Sequence, residues 1–337
     1  MTEICSPAQP PLRIGTRRSN LAIVQTEGIR DRLQKIAPER TYKIETLLTL
    51  GDRDKSTALY DFNAKSLWTT ELEDKLTSGQ LDVIVHCLKD MPTTLPETCE
   101  LAAIPPRDDP RDALIVKAGL PYTSLATLPA GAVVGTSSVR RTAQLRRLYP
   151  HLRFANLRGN VETRLAKVDD LASEYTCMVM SAAGLKRVGL QHRISQYLGS
   201  KDGGIFHAVG QGALGLEIRK GDAEMQPLLA RLADRKSTLA CLAERSLMRT
   251  LESGCSAPLG VETEWVQPQQ EQADDWLQMT AIVVSLDGSH SVQETIKAGI
   301  RTEDEATALG QDLAGKLVEA GAEAILKDIN ANRPAKD

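Results

Sequence analysis

The chain lacks the features that mark several large classes of protein. It has six cysteines but no CxxC pair, which argues against both a structural zinc site and a disulfide framework. Only 4% of the residues are aromatic, too few for a base-stacking platform. No apolar run approaches the roughly 20 residues of a membrane-spanning helix, and the first residues match neither a secretory signal nor a transit peptide. The expected compartment is therefore a reducing cytoplasm, with no metal and no membrane partner.

A surplus of positive charge is also missing. The chain has 41 basic and 44 acidic residues, with a formal net charge of −3. That balance excludes a broad nucleic-acid surface and leaves room for a local basic pocket. With 337 residues, of which 42% are hydrophobic, the chain is long enough for two or three soluble domains, each with its own core.

Arginine is what the chain has in local excess. Eight arginines fall between Arg140 and Arg187. The densest segment, residues 133–141, predicts a buried strand, a tight turn and a helix that begins at Ser137 or Ser138. Arg140 and Arg141 would then lie in the first helical turn, where the helix dipole favours acidic residues. Because they break a local rule, they are functional candidates.

The hydrophobic pattern predicts an α/β protein with a smaller third unit. Short β-branched runs alternate with helical patterns in two successive units, which is typical of α/β layers with a mostly parallel sheet. Both units contain a strand, a Gly-Thr pair and a helix start, at Gly15-Thr16 and Gly135-Thr136. From about Arg235 an amphipathic helix, a hairpin at Asp287-Gly288 and a long helical stretch predict an α+β domain.

Charged residues follow the predicted strands repeatedly. Lys89, Asp90, Arg158 and Arg187 come after strands, and four more arginines lie in turns or first helical turns: Arg17, Arg140, Arg141 and Arg164. Ligands of open α/β sheets bind beyond the carboxyl ends of strands, and guanidinium groups with open backbone N–H groups favour carboxylates. The alternative is a solvated face whose arginines pair with nearby acids such as Glu162, Asp169 and Glu174.

Two further residues are candidates for chemistry. Asp90 is the acid of the run 86–90, where cations would keep it charged and suited to stabilising a cationic intermediate; alternatively, it only contacts Lys89 in a turn. Cys255 lies in a turn-forming segment that an inert core thiol would not need. Nearby cations would have to activate it, and the alternative is a structural free cysteine.

The ordered motifs resemble the hydroxymethylbilane synthase family, also called porphobilinogen deaminase. The likeness runs from Leu12 into the third domain, and these segments carry it: 13–17, 85–92, 109–113, 135–141, 157–161, 208–213 and 254–255. The resemblance implies two domains like type II periplasmic binding proteins and a small C-terminal domain. The chain would return to the first domain before entering the third, giving domains of residues 12–107 with 212–229, 108–211 and 235–337.

The resemblance also implies a chemistry. Four porphobilinogen molecules would be joined head to tail, each losing ammonia, on a dipyrromethane cofactor held by a thioether at Cys255; hydrolysis would then release hydroxymethylbilane. Asp90 would be the catalytic aspartate that stabilises the cation left when ammonia departs. The protein is expected to be a monomer.

Further site residues follow from the same resemblance. The cofactor would be held by Lys89, Thr136, Ser137, Ser138, Arg140, Arg141, Arg164 and Arg187. The substrate would be held by Arg17, Ser19, Arg158 and Gln211. The chain departs from the family pattern at residues 62–68, at Ser253 and at Cys87, where serine is more familiar.

Two other functions remain to be weighed. A non-catalytic anion-binding protein would use the same cleft, but it needs no third domain, loop cysteine or acid facing the ligand. A nucleic-acid-binding regulator would want a helix-turn-helix or a basic tail, and the sequence shows neither.

Overall fold

A computed structural model gives the architecture of the chain and describes residues 10–49, 69–251, 258–266 and 276–331. The described residues form three β-sheets with helices packed on them, two of five strands and one of three. Among these residues, no helix is both long and apolar enough to cross a membrane.

The first sheet combines strands from two distant parts of the chain. Its strand order is β2-β1-β3-β10-β4. The strands are β1 (Leu12–Arg17), β2 (Tyr42–Leu47), β3 (Val83–Cys87), β4 (Cys99–Ala103) and β10 (Leu214–Arg219). The associated helices are α1 (Asn20–Ile36), α2 (Thr70–Thr77) and α6 (Met225–Ala230).

The second sheet is built from one continuous segment. Its order is β7-β6-β8-β5-β9. The strands are β5 (Asp112–Val116), β6 (Val133–Gly135), β7 (Arg153–Ala155), β8 (Cys177–Ser181) and β9 (Gln196–Leu198). The helices are α3 (Val139–Leu148), α4 (Val161–Asp169) and α5 (Ala182–Arg187).

In each sheet four of the five strands run in the same direction and one runs against them, so the expected mostly parallel sheets are confirmed, each with one antiparallel strand. In the first, β1 pairs in parallel with β2 and β3, whereas β10 runs antiparallel to β3 and β4. In the second, β6 is parallel to β7 and β8, whereas β5 is antiparallel to β8 and β9. The antiparallel strands β5 and β10 each follow a crossover from the other sheet. They are therefore not part of a βαβ unit, which would make them parallel to their neighbours.

The third unit is a helix-covered antiparallel sheet. Strands β11 (Leu259–Val266), β12 (Trp276–Val284) and β13 (Ser291–Gly299) are paired in sequence order. The helices are α7 (Arg235–Thr250), α8 (Glu303–Glu319) and α9 (Ala322–Ala331). Leu247, Leu277 and Leu313 lie in the core that joins these layers. The predicted hairpin joins β12 to β13, and Gly288 has a positive φ of 80° there.

Side-chain caps fix where several helices begin. Ser19 accepts a hydrogen bond from the backbone N–H of Ala22, and Ser138 accepts one from Arg141. Asn160 and Asp234 cap α4 and α7 in the same way. These residue types satisfy the open N–H groups of a first helical turn, so Ser138 begins α3, one of the two predicted starts.

Two crossover segments join the first two sheets and lie side by side. The backbone N–H of Asp108 donates to the carbonyl of Gly212 at 3.2 Å. Gly212 has a φ of +87°, and a Cβ there would lie 2.5 Å from the Asp108 carbonyl oxygen. Glycine is required here because any side chain would be strained and would push the two crossovers apart.

A buried ion pair fastens the third unit to the same crossovers. Arg107 donates to both carboxylate oxygens of Glu244 on α7, at 2.7 and 3.1 Å. Glu244 is fully buried, and it also accepts from the N–H of Gly210 and the hydroxyl of Thr263. The Arg107 Nε donates to the carbonyl of Gln211. One carboxylate therefore ties α7 and β11 to both crossovers.

Candidate active site

The first wall of the cleft is formed where β1 and β3 end. Arg17 is the last residue of β1, and a short 3-10 turn after β3 carries Lys89 and Asp90. Arg17 Nη1 lies 3.9 Å from Asp90 Oδ2, and the Asp90 side chain remains 35% exposed. Because β1 and β3 are parallel neighbours, their carboxyl ends lie at the same sheet edge. The fold thus presents a solvent-accessible carboxylate beside cations.

Lys89 reaches toward the crossovers. Its Nζ donates to Gln211 Oε1 at 3.1 Å. Burial lowers the pKa of Lys89, as does the charge of Arg141, while Asp90, Cys87 and Asp112 oppose this. Arg141 belongs to the second sheet's helix α3, so the pKa shift reflects charges from both walls of the cleft.

The second wall contains a buried pair of arginines around Asp112. Arg140 and Arg141, on α3, are only 5% and 7% exposed. Arg140 Nη2 donates to Asp112 Oδ2 at 2.8 Å. Arg141 donates to Asp112 Oδ1 through Nε at 3.1 Å and Nη2 at 2.7 Å. Gln211 Nε2 donates to the same oxygen at 2.8 Å.

Asp112 compensates part of the positive charge in this wall. Burial would raise its pKa, but the charges of Arg140 and Arg141 and their hydrogen bonds lower the pKa well below its usual range. Burial lowers the pKa of Arg140 in spite of Asp112. One carboxylate stands against two guanidinium groups, so the pair keeps a net positive charge.

Arg164 and Arg158 extend the same cluster. Arg164 Nε donates to the carbonyl of Gly159 at 2.7 Å. Burial and the charges of Arg141 and Arg158 lower the pKa of Arg164 to about 10. Burial and neighbouring cations both disfavour the charged form of Arg164, although the group still carries its charge near neutral pH. Such a cluster favours an anionic ligand.

Arg187 lies at the crossovers. Its Nε donates to Asp108 Oδ2 at 2.8 Å and its Nη2 to the carbonyl of Gly212 at 2.6 Å. With 14% side-chain exposure, this last residue of α5 is held against the crossovers, close to Cys87, whose pKa its charge influences.

The predicted hydroxyl groups make local hydrogen bonds. Ser137 Oγ donates to the carbonyl of Leu157 at 2.7 Å, and Thr136 Oγ1 accepts from the N–H of Ser138 at 3.2 Å. Ser19 and Ser138 are helix caps. These groups shape the turns around the cleft, and what each offers a ligand stays a prediction.

Sequence reasoning did not single out Asp112 or Gln25 as site residues. Gln25 is 5% exposed, and its Nε2 has no hydrogen-bond partner among the described residues. Its Oε1 accepts from the thiol of Cys87 at 3.3 Å. A small cavity between the first two sheets is lined by Leu21, Gln25, Cys87, Lys89, Ser181 and Arg187. Asp112 lies within a motif that carried the family resemblance, which was a usable signal, whereas Gln25 looks like an ordinary helix residue.

Three of the predicted features lie outside the described residues. Cys255 and the departure at Ser253 fall within 252–257, and the departure at 62–68 falls within 50–68. What the sequence predicts for all three stays a prediction.

The fold and site define an α/β protein with a cluster of largely buried cations between two sheet units. Two family models identify the family to which this protein is similar. The model described as "Porphobilinogen deaminase, dipyromethane cofactor binding domain" matches residues 12–227, and "Porphobilinogen deaminase, C-terminal domain" matches residues 238–319. The porphobilinogen deaminase of Yarrowia lipolytica is 50% identical over 326 residues, covering 95% of this chain and 94% of that protein. That of Saccharomyces cerevisiae is 46% identical, covering 96% and 98%.

The chain therefore belongs to the porphobilinogen deaminase family. Membership makes it a hydroxymethylbilane synthase with a dipyrromethane cofactor, a transferase of porphyrin biosynthesis.

Two of the solved structures that resemble the chain do so only weakly. The aliphatic sulphonate binding protein SsuA from Escherichia coli aligns with a TM-score of 0.38 and 15% identity, covering 73% of this chain and 76% of that one. A YaeC-family lipoprotein from Enterococcus faecalis aligns with a TM-score of 0.39 and 14% identity, covering 72% and 97%. Scores this low add nothing to the functional assignment.

Proposed function

We propose that Asp90 is the catalytic carboxylate of this synthase and that the surrounding cations hold the carboxylates of cofactor and substrate. The single observation that carries the proposal is the position of Asp90, a partly exposed acid 3.9 Å from Arg17 at the mouth of a cluster that includes Arg141 and Arg164. A non-catalytic anion-binding protein needs no such acid, and family membership does not favour that alternative.

The donor set suits the cofactor. Every pyrrole ring of the cofactor and the growing product carries an acetate and a propionate, so the ligand is a polyanion. Each charge-assisted hydrogen bond is worth roughly 1.5 to 3 kcal/mol, and a buried cation without a counter-charge is costly. Cofactor contacts are proposed for Lys89, Thr136, Ser137, Ser138, Arg140, Arg141, Arg164 and Arg187. Substrate contacts are proposed for Arg17, Ser19, Arg158 and Gln211.

Asp90 would act through charge. As ammonia leaves porphobilinogen, positive charge develops on the substrate pyrrole, and a nearby carboxylate lowers the energy of that state. The same carboxylate can accept hydrogen bonds from pyrrole N–H groups and so orient the ring. The dipyrromethane, when bound, supplies the chain end to which each substrate unit is added. Four units and a final hydrolysis give hydroxymethylbilane.

The domain division is part of the proposal. We assign residues 12–107 with 212–229 to the first domain, 108–211 to the second and 235–337 to the third. The pairing of β10 with β3 and β4 supports returning residues 212–229 to the first. A thioether at Cys255, a monomeric state and a cytoplasmic location complete it.

Intact-mass spectrometry tests the attachment. Wild-type protein should be heavier than its bare sequence by a dipyrromethane unit, and Cys255→Ser should have the bare mass and no turnover. Cys177→Ala is the matched control: it changes a buried core cysteine and should keep the added mass. Active wild-type protein with the bare mass would contradict the assignment, and porphobilinogen consumption with ammonia release separates an enzyme from a binding protein.

A further inference from the structure

The arginine pair of the second wall is held by the protein's own carboxylate. Three donors of Arg140 and Arg141 bind Asp112 directly. Other donors go to backbone carbonyls: Arg140 Nη1 binds Phe206, and Arg141 Nη1 binds Val179 at 3.2 Å. The orientation of both guanidinium groups is therefore set before any ligand contact is made.

Asp112 also reaches the opposite wall through one side chain. Gln211 is fully buried, and its Nε2 donates both to Asp112 Oδ1 and to the carbonyl of Pro110, each at 2.8 Å. Since its amide nitrogen faces Asp112, its oxygen is left to accept from Lys89 Nζ. The series Asp112, Gln211, Lys89 thus joins the arginine pair to the residue preceding Asp90.

We infer that Asp112 is a positioning residue that sets the geometry of Arg140 and Arg141 and, through Gln211, of Lys89. This inference rests on the proposed function, because the positioned groups are those proposed to bind cofactor and substrate. It also gives Gln211 a different main task from the one predicted, since its amide joins the two walls.

Asp112→Asn tests this inference because asparagine keeps the shape but removes the charge. Its amide also presents a donor where Asp112 accepts. Asp169→Asn is the matched control: Asp169 holds Arg193 in a two-pronged ion pair of the same domain, at 2.7 and 2.9 Å, away from the cleft. Both variants are compared with wild type for cofactor loading by intact mass, for kcat and KM, and for thermal unfolding.

The expected result separates positioning from stability. Asp112→Asn should lower the loaded fraction or kcat/KM by about tenfold or more, because small misplacements of binding groups cost rate steeply. Asp169→Asn should be less stable than wild type but should keep the wild-type loaded fraction and kcat/KM. If Asp112→Asn matches Asp169→Asn in loading and kinetics, Asp112 is only structural and the inference is overturned.

The alkaline side of the pH profile gives a readout that a structural role would not move. Lys89 faces Arg141, Asp90, Cys87 and Asp112. Removing the Asp112 charge should lower the pKa of Lys89 further, so kcat/KM should begin to fall at a lower pH than in wild type. An unshifted alkaline limb in Asp112→Asn would contradict an effect of the Asp112 charge on Lys89 and overturn that part of the inference.

A second variant covers a failure to fold. Asp112→Glu keeps the charge but moves the carboxylate by one methylene, so it should fold, load poorly and leave the alkaline limb in place. Wild-type behaviour of Asp112→Glu would overturn the inference. Wild-type protein without added mass would instead refute the Cys255 attachment, and porphobilinogen KM and the pH limb would still decide the role of Asp112.

Discussion

Asp90 combines two properties that a catalytic carboxylate needs. It is held near a cation, with Arg17 at 3.9 Å, and it remains 35% exposed. It follows β3 in a short turn, so replacing it removes no core contact of the sheet.

Asp90→Ala should therefore fold normally and lose nearly all turnover, by about a hundredfold or more, since electrostatic stabilisation is commonly a large catalytic contribution. Steady-state ammonia release and thermal unfolding measure the two effects. Near-normal activity in a folded variant would refute the role of Asp90.

At the residue scale, the sequence predicted which cations matter better than what holds them. Strand ends and first helical turns located Arg17, Lys89, Arg141 and Arg164, which the structure brings together. The acids suggested as alternative partners were sequence neighbours. Asp169 pairs with Arg193 instead, and Glu162 accepts from Asn20. The partner of Arg140 and Arg141 is Asp112 on strand β5, and no local pattern predicts this contact between distant parts of the chain.

At the element scale, α2 carries a buried acid against the first sheet. Glu73 is 9% exposed, and within the described residues neither its Oε1 nor Glu217 Oε1 has a hydrogen-bond partner. Burial raises the pKa of Glu73, and the charge of Glu217 adds to this. The folded state thus binds this proton more tightly than the unfolded chain does.

The raised pKa of Glu73 makes the stability of the fold fall as the pH rises. A raised carboxyl pKa stabilises the fold at low pH, and that contribution is lost as pH rises from the unfolded value of 4.5 through the folded pKa. Glu73→Gln should remove this loss. The free energy of unfolding of the variant should therefore rise relative to that of wild type as the pH is raised from about 4.5 to about 8.

Chemical denaturation at several pH values measures that difference. Glu97→Gln, an exposed change of the same type just before β4, is the control and should follow wild type. A constant difference between Glu73→Gln and wild type across the range would contradict the prediction.

Element types were predictable because local chemistry decides them. Ser19 caps α1, β-branched runs form β3 and β6, and Asp287-Gly288 turns the hairpin. The reversed direction of β5 and β10 was not predictable in the same way. It depends on crossovers that bring β5 and β10 in from the other sheet, and periodicity does not report where a strand comes from.

At the scale of the whole molecule, Glu244 joins three units. It binds Arg107 and Gly210 of the two crossovers and Thr263 of the third sheet. The charge of Arg107 lowers the pKa of Glu244 against the effect of burial, and the carboxylate in turn raises the pKa of Arg107. Each residue therefore stabilises the ionised form of the other.

Glu244→Gln should lower the free energy of unfolding by about 3 kcal/mol, because it leaves Arg107 buried without a counter-charge. Glu264→Gln, which breaks the exposed ion pair with Lys201, should cost less than about 1 kcal/mol. Denaturant titration compares the two variants. Equal losses in free energy of unfolding would show that the buried pair stabilises the protein no more than an exposed pair does.

The pairing of β10 with β3 also bears on the order in which the chain folds during synthesis. Leu214 lies opposite Cys87, so the first sheet waits for residues made long after its other strands. The second sheet uses only strands between Asp112 and Leu198. On the ribosome, the second sheet can therefore be completed first, while the first sheet, which positions Asp90, still lacks β10.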